Sequence, residues 1–510
     1  LIRDRMGEKP LYYGWNDDSF LFGSELKSLK AFHGFFGKVD RDALAMYLKY
    51  DYVPSPYSIY KGINKLPGGS YVKLSMVNNV WSKENTSGPN YYWSMSDIAK
   101  SGKGINKFNG SDEDAIQELD GLLSSAIKRQ MLSDVPLGAF LSGGIDSSVV
   151  AALMQKQSKK KIKTFTIGFN EKHYNEAEYA KEVALHLGTE HTELYISPEQ
   201  AIDVISRLPE VYDEPFADSS QIPTILVSKL AKRHVTVSLS GDGGDELFGG
   251  YNRYFMADRA WNKIEKIPFA VRKIISKGII LLSPKVWSFL INNAFKLLPK
   301  RFSMAHPGDK IYKLSKMLLS DNIYNVYDGL VSHWDNSFEV VIDCKKKARN
   351  TGENINLAHS EEGMMLLDSI TYLPDDILHK VDRAAMSVSL ETRAPFLDKN
   401  VVKFSWRLPF NMKIRDSQGK WILRKVLDRY VPKELIDRPK MGFGVPIDSW
   451  LRGPLREWAE ELLSEERLKN DGYFHVKPIR EKWNEHLSGH RNWQYHLWSV
   501  LMFQVWLDSQ

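Results

Sequence analysis

Cysteine occurs once in these 510 residues, at Cys344. A lone thiol forms neither an internal disulfide nor a Cys-rich zinc site, and such sparing use suits a reducing compartment, so a cytoplasmic location is expected. Long apolar runs are missing too. No stretch reaches the roughly 20 uninterrupted apolar residues of a membrane span. The nearest, residues 278–298, is broken by Pro284, Lys285 and Lys296. Its helical-period apolar positions predict a packed helix, with a membrane-surface helix as the alternative. Excess charge of one sign is also lacking. With 69 basic and 63 acidic side chains the formal net charge is +6, too small to mark a nucleic-acid footprint. No signal peptide opens the chain, and its first residues, Leu1-Ile2-Arg3-Asp4, read as a start inside a domain. What remains is ordinary globular composition over a length that calls for two or three domains.

Residues 1–95 read as β-rich, with runs such as Leu11-Tyr12-Tyr13 and Tyr71-Val72-Lys73-Leu74 between turn signals at Asn16-Asp17-Asp18 and Pro67-Gly68-Gly69. Residues 96–110 are polar and rich in Gly, Ser, Lys and Asn, the signature of a linker. A helix capped by Ser111, with Asp114 three residues on, then opens a region running to residue 510. Strands are expected at 137–141, 163–167, 192–196 and 235–239, separated by helices at 147–157, 176–187 and about 225–232. That alternation predicts a doubly wound α/β fold with a parallel sheet. Beyond about Tyr254 the pattern is mainly helical.

Two glycine-rich loops follow buried strands. The first is Leu141-Ser142-Gly143-Gly144-Ile145-Asp146-Ser147-Ser148. Its glycines let backbone N–H groups approach an anion at a helix N-terminus, and three hydroxyls add donors. A carboxylate beside phosphate makes sense with a cation between them, so Asp146 reads as a Mg²⁺ ligand. A bare Gly-Gly turn with a capping Asp would account for any three of these residues, but not the whole string after a strand. The loop is not of the G-x-x-x-x-G-K-S/T kind and has no lysine for a γ-phosphate, which points to a grip on pyrophosphate during attack at the α-phosphorus. The second loop, Leu239-Ser240-Gly241-Asp242-Gly243-Gly244-Asp245-Glu246 and on to Tyr251, gathers three acids among glycines. Such a cluster is unfavourable unless a cation or proton is shared. Both loops should line one crevice beyond the carboxyl ends of the strands.

The first string resembles the pyrophosphate loop of the N-type ATP pyrophosphatases, and the second resembles the asparagine synthetases within that superfamily. Ser240 and Gly241 would then contact the nucleotide, as would Leu141, Ser142, Gly143, Gly144, Asp146, Ser147, Ser148 and Ile167. Asp245 would be a second Mg²⁺ ligand opposite Asp146. The acid at position 242, Glu in familiar members and the shorter Asp242 here, influences acyl-adenylate formation. Segments 213–218, 375–383 and 390–398 resemble parts of the family that face the same cleft, and Lys440 in Arg438-Pro439-Lys440-Met441-Gly442 would stabilise charge during adenylation. The segments Ile2–Gly14, Phe22–Lys27 and Leu66–Gly69 resemble the late part of the family's Ntn-type glutaminase domain, whose N-terminal cysteine nucleophile has no counterpart here.

The resemblance implies a ligase using ATP and Mg²⁺: aspartate, ATP and ammonia, the latter from glutamine in a full-length protein, give asparagine, AMP and pyrophosphate. It implies the adenine nucleotide α-hydrolase-like fold for residues 111–510 and a partial glutaminase for 1–95. The same amidation of another carboxylate, such as a sugar uronate in surface-polysaccharide assembly, is the alternative. An RNA-thiolating enzyme is disfavoured because no Cys pair and no basic RNA-binding domain are present. A non-catalytic descendant is disfavoured because neither loop has lost an acid or a glycine. The expected partners are small molecules, not nucleic acid or a spanned membrane, and a homodimer remains open.

Overall fold

Asp17 and Asp18 turn the first hairpin, Asp17 with a left-handed φ of 51°. A computed structural model describes residues 1–78, 80–169, 175–282, 284–295, 307–345, 357–437 and 444–510. Strand β1 (Tyr12–Asn16) pairs antiparallel with β2 (Ser19–Gly23), Tyr12 opposite Gly23. On its other side β1 pairs with β3 (Ile63–Lys65). A separate antiparallel pair joins β4 (Ser70–Val77) to β5 (Val80–Tyr91). Helix Arg41–Tyr50 starts where the Asp40 carboxylate accepts from the Asp42 and Ala43 N–H groups, and stops at left-handed Asp51. The polar stretch 96–110 is largely taken up by helix Met95–Lys103, which buries Met95 and Ala99.

The capping box between Ser111 and Asp114 starts helix Asp112–Gln130. Five strands then form one parallel sheet: β6 (Leu137–Phe140), β7 (Lys163–Phe169), β8 (Glu190–Ile196), β9 (Val237–Leu239) and β10 (Glu391–Arg393), in the order β10-β9-β6-β7-β8. From β6 the chain winds one way through β7 to β8, and then the other way through β9 to β10. The winding therefore reverses between β6 and β9, where ligands of doubly wound sheets bind. Helices Ile145–Gln157, Ala177–Leu187 and Gln221–Lys232 connect the strands, the second closed by Gly188 at φ 70°. Strand β9 is shorter than its apolar run 235–239 predicts, and β10 was not expected from the sequence.

The rest is helical. The last helix, Gln494–Asp508, buries Leu497, Trp498, Leu501, Phe503 and Trp506. It ties the molecule together: Tyr47 Oη donates to the Ser499 carbonyl at 2.7 Å, and Trp506 Nε1 donates to the Asp213 carbonyl at 2.8 Å. The apolar stretch 278–298 is not one packed helix. Helices Phe269–Leu281 and Pro284–Phe295 divide it, and much of their apolar surface is exposed. No described helix is long and apolar enough to cross a membrane.

Candidate active site

The loop after β6 is held by its own side chains before any ligand arrives. Ser142 and Ser147 hydroxyls lie 3.0 Å apart, Ser147 Oγ donates to the Gly144 carbonyl at 3.3 Å, and the Gly144 N–H donates to Ser142 Oγ at 3.3 Å. Gly143 turns the chain with φ 69°, and a Cβ there would meet the Tyr179 and Ala180 backbone at 2.8 Å. The second loop packs on the first. A Cβ on Gly241 would meet the Ser147 backbone nitrogen at 2.9 Å and one on Gly244 would fall 2.5 Å from the Asp146 carboxylate, so the glycines let the loops approach this closely.

Asp146 and Asp245, one from each loop, converge on a single ammonium. Lys420 Nζ pairs with Asp146 Oδ2 and, at 2.7 Å, with Asp245 Oδ1. Burial alone would push the lysine down, but the two carboxylates override it and hold the ammonium above its usual value. Lys420 is anchored by its N–H to the Phe248 carbonyl at 2.9 Å and has a left-handed φ of 57°. Asp416 and Ser417 are left-handed as well, at 53° and 60°. Three such non-glycine residues within five positions are uncommon and concentrate where geometry is imposed for function. Among the described residues no group of three or more His, Cys, Asp or Glu converges as a metal cage. Two carboxylates already facing one cation are nevertheless the protein share Mg²⁺ takes when substrate phosphates supply further oxygens.

A second charged cluster adjoins the first. Lys380 Nζ pairs with Asp218 and lies 3.5 Å from Asp376 Oδ1. Asp218 also accepts from the Ser220 N–H and Oγ, at 2.8 and 2.7 Å. Burial and then the Asp218 charge push the Asp376 carboxyl well above its ordinary value, against the opposing charge of Lys380. For Asp218 burial acts upward, but Lys380 and the hydrogen bonds win and hold it low. Burial also raises Asp242, against the opposing influence of Ser240 and Lys380. Glu246, wholly buried and accepting from Tyr251 Oη at 2.7 Å, is raised to about 7 by burial and by Asp245.

Asp146, Asp245, Lys420, Lys380, Asp218, Asp242 and Glu246 line one cavity of about 880 Å³, open to solvent and large enough for a nucleotide with a second substrate. Phe140 and Leu141 at the end of β6, with Phe165 and Ile167 of β7, give it an apolar wall. The family model for asparagine synthase matches residues 118–508. The chain belongs to the asparagine synthase family. It is thus a ligase of the kind that forms carbon–nitrogen bonds with ATP. The glutamine amidotransferase domain model matches residues 1–92. Over 507 residues the chain is 30% identical to glutamine-hydrolyzing asparagine synthetase 1 of Bacillus subtilis, covering 99% of this chain and 74% of the relative. A putative glutamine-hydrolyzing asparagine synthetase of Mycobacterium tuberculosis is 29% identical across 99% of this chain and 73% of its own. Another from Methanocaldococcus jannaschii is 34% identical over 392 residues, 75% of this chain and 68% of the relative.

Of the residues that resemblance to the asparagine synthetases singled out, Leu141, Ser142, Gly143, Gly144, Asp146, Ser147, Ile167, Ser240, Gly241, Asp242 and Asp245 line this cavity. Ser148 does not. It faces inward from helix Ile145–Gln157, fully buried, because the fourth residue of that helix turns away from the loop. Lys440 lies outside the described residues. Of the three cleft-facing segments, Asp218, Ile377, Lys380 and Val381 reach the cavity. Asp213, Glu214 and Asp375 turn instead toward residues 12–65, and 390–398 supplies β10 and packs Leu397 against Gly243. Sequence reasoning missed Lys420 altogether and gave Lys380 and Glu246 no role. The polar turn Asp416-Ser417-Gln418-Gly419 before Lys420 was the only local signal.

Proposed function

We propose that the chain amidates aspartate through an acyl-adenylate. The acceptor carboxylate oxygen attacks the α-phosphorus of ATP, pyrophosphate departs, and ammonia then adds to the acyl carbon and expels AMP. Glutamine is the ultimate nitrogen source. The observation that carries this reading is the meeting of Asp146 and Asp245 on one cation beside a phosphate loop that lacks a P-loop lysine. Backbone N–H groups of the first loop, with Ser142 and Ser147, would bind the departing pyrophosphate. Leu141 and Ile167 would flank the base, and Ser240 and Gly241 would contact the nucleotide. Asp146 and Asp245 would hold Mg²⁺, which when bound neutralises phosphate charge as a Lewis acid. Lys420 and Lys440 would stabilise charge developing at the phosphates, and Asp242 would act on the acceptor side. The accompanying division of the chain is a glutaminase-derived part at 1–95, a connection at 96–110 and a synthetase domain at 111–510.

A sugar uronate is the second reading. It is favoured by Tyr251, Phe255 and Tyr372 in the cavity lining, flat faces on which a pyranose ring can rest. One experiment addresses both. With ¹⁸O in the carboxylate of aspartate or of a uronate, and ATP with ammonium, label should pass from the active acceptor into AMP. ADP as product would overturn the mechanism, and turnover with the uronate alone would change the acceptor.

A further inference from the structure

Helix Phe269–Leu281 is turned inside out. Its buried positions are Arg272, Ser276 and Ile279, at helical spacing, so two of the three inward residues are polar. Arg272 spends its charge inside, donating to the Ser320 carbonyl at 2.7 Å and lying 5.2 Å from the Phe269 ring centre. The apolar residues point out: Ile274 is 70% exposed and Leu281 85%. Helix Pro284–Phe295 continues the surface with Phe289, 68% exposed, and with Val286 and Leu290. Both helices are pinned in this attitude. Trp287 Nε1 donates to the Ile279 carbonyl at 2.8 Å, and Tyr312 Oη donates to the Leu282 carbonyl at 2.8 Å. Large apolar side chains held in water across two neighbouring helices mark a surface that another phase or molecule covers.

Charge says which. Between Lys266 and Phe295 the sequence has no acidic side chain, and of its five basic ones Arg272 is turned inward. Lys266, Lys273 and Lys277 are exposed among the apolar residues. Lysines interleaved with Ile, Leu and Phe can bury their stems while their ammonium groups reach anionic headgroups. A second copy of the chain would bring this positive surface against itself, which like charges oppose. We infer that helices Phe269–Leu281 and Pro284–Phe295 form a peripheral docking surface for an anionic lipid bilayer, lying in the interface plane without crossing it. The surface is separate from the residues that line the cavity, so the inference goes beyond the proposed reaction and does not depend on it.

Flotation of the purified chain with vesicles tests it, using phosphatidylcholine alone and phosphatidylcholine mixed with phosphatidylglycerol. The chain should float with the anionic vesicles about tenfold more tightly than with the neutral ones, and high salt should weaken the binding. Lys273→Glu combined with Lys277→Glu should lower anionic-vesicle binding by about tenfold or more. Leu281→Ser combined with Phe289→Ser should abolish it. All four positions are exposed, so unchanged melting temperature and pyrophosphate release would certify the variants as folded. Failure to float with anionic vesicles, equal binding to both vesicle types, or unchanged binding by either variant would overturn the inference. So would a concentration-dependent dimer in sedimentation that Leu281→Ser breaks while lipid binding is absent; the surface would then belong to a second copy.

Discussion

Lys420 reaches Asp146 across 274 residues of sequence. Replacing it by Met would leave two carboxylates facing each other with no ammonium between them, an arrangement like charges oppose. The variant should therefore melt below the wild type in metal-free buffer and gain more from added Mg²⁺, up to about 2.7 kcal/mol at a hundredfold excess over the dissociation constant. Equal Mg²⁺ responses in scanning fluorimetry would show that these carboxylates do not hold the ion. Asp146→Asn and Asp245→Asn each remove one anionic oxygen from the same place. Each should lower pyrophosphate release on the order of a hundredfold or more while leaving the fold intact. Near-normal turnover at saturating Mg²⁺ would sink the assignment. Both aspartates were singled out from the sequence, Asp146 because a carboxylate in a phosphate loop calls for a cation beside it and Asp245 through resemblance to the asparagine synthetases, and both line the cavity. Lys420 was not, since a lysine after a polar turn looks like any solvated lysine until the chain folds and buries it.

At the level of elements, what could be read followed from local pattern. Strands β6, β7 and β8 stand out as apolar runs at regular spacing, and the helix from Asp112 is announced by its capping box. Strand β10 is only Glu391-Thr392-Arg393, with no apolar residue, and is a strand because the edge of β9 offers it hydrogen bonds. The π-helical turn Leu373–Ile377, which presents Asp375 to Ser55 and Asp376 to Lys380, is likewise imposed by its surroundings. Helix Val476–Leu487 gives a pH test. Its His486 is wholly buried, its Nδ1 accepts from the Trp493 N–H at 3.2 Å, and burial followed by the Arg452 charge pushes it down to about 4. Above the ordinary histidine value both folded and unfolded chains are neutral here. As pH falls from about 6.5 toward 4 the unfolded chain takes up the proton first, so stability is lost over that window. His486→Gln should remove this slope and sit about 1–2 kcal/mol higher relative to wild type at about pH 5 than at neutrality, measured by urea denaturation. Parallel pH profiles would mean the imidazole is not buried neutral.

Across the whole molecule, the part matching the glutamine amidotransferase domain meets the synthase part along a polar seam. Lys65 pairs with Glu214, Lys9 with Asp382 at 2.6 Å, Arg383 with Glu25 at 2.5 Å, and Ser55 Oγ donates to Asp375 at 2.6 Å. Lys65 and Glu214 are both buried, and Glu214 also accepts from Tyr12 Oη at 3.2 Å. Glu214→Ala would strand the Lys65 ammonium and should destabilise by about 3–5 kcal/mol. Lys65→Met with Glu214→Leu should recover most of that loss, whereas additive losses in the double variant would show that the two do not interact. The sheet order carries one more consequence, in time. Strand β10 leaves the ribosome about 150 residues after β9, an interval of roughly 8–30 s at ordinary synthesis rates. Throughout it the outer edge of β9 has no partner in the nascent chain, and Asp146 and Asp245 are already made while Lys420 is not. The newborn chain thus passes through a stage in which an open strand edge, a template for pairing with another chain, lies beside two carboxylates that still lack their lysine.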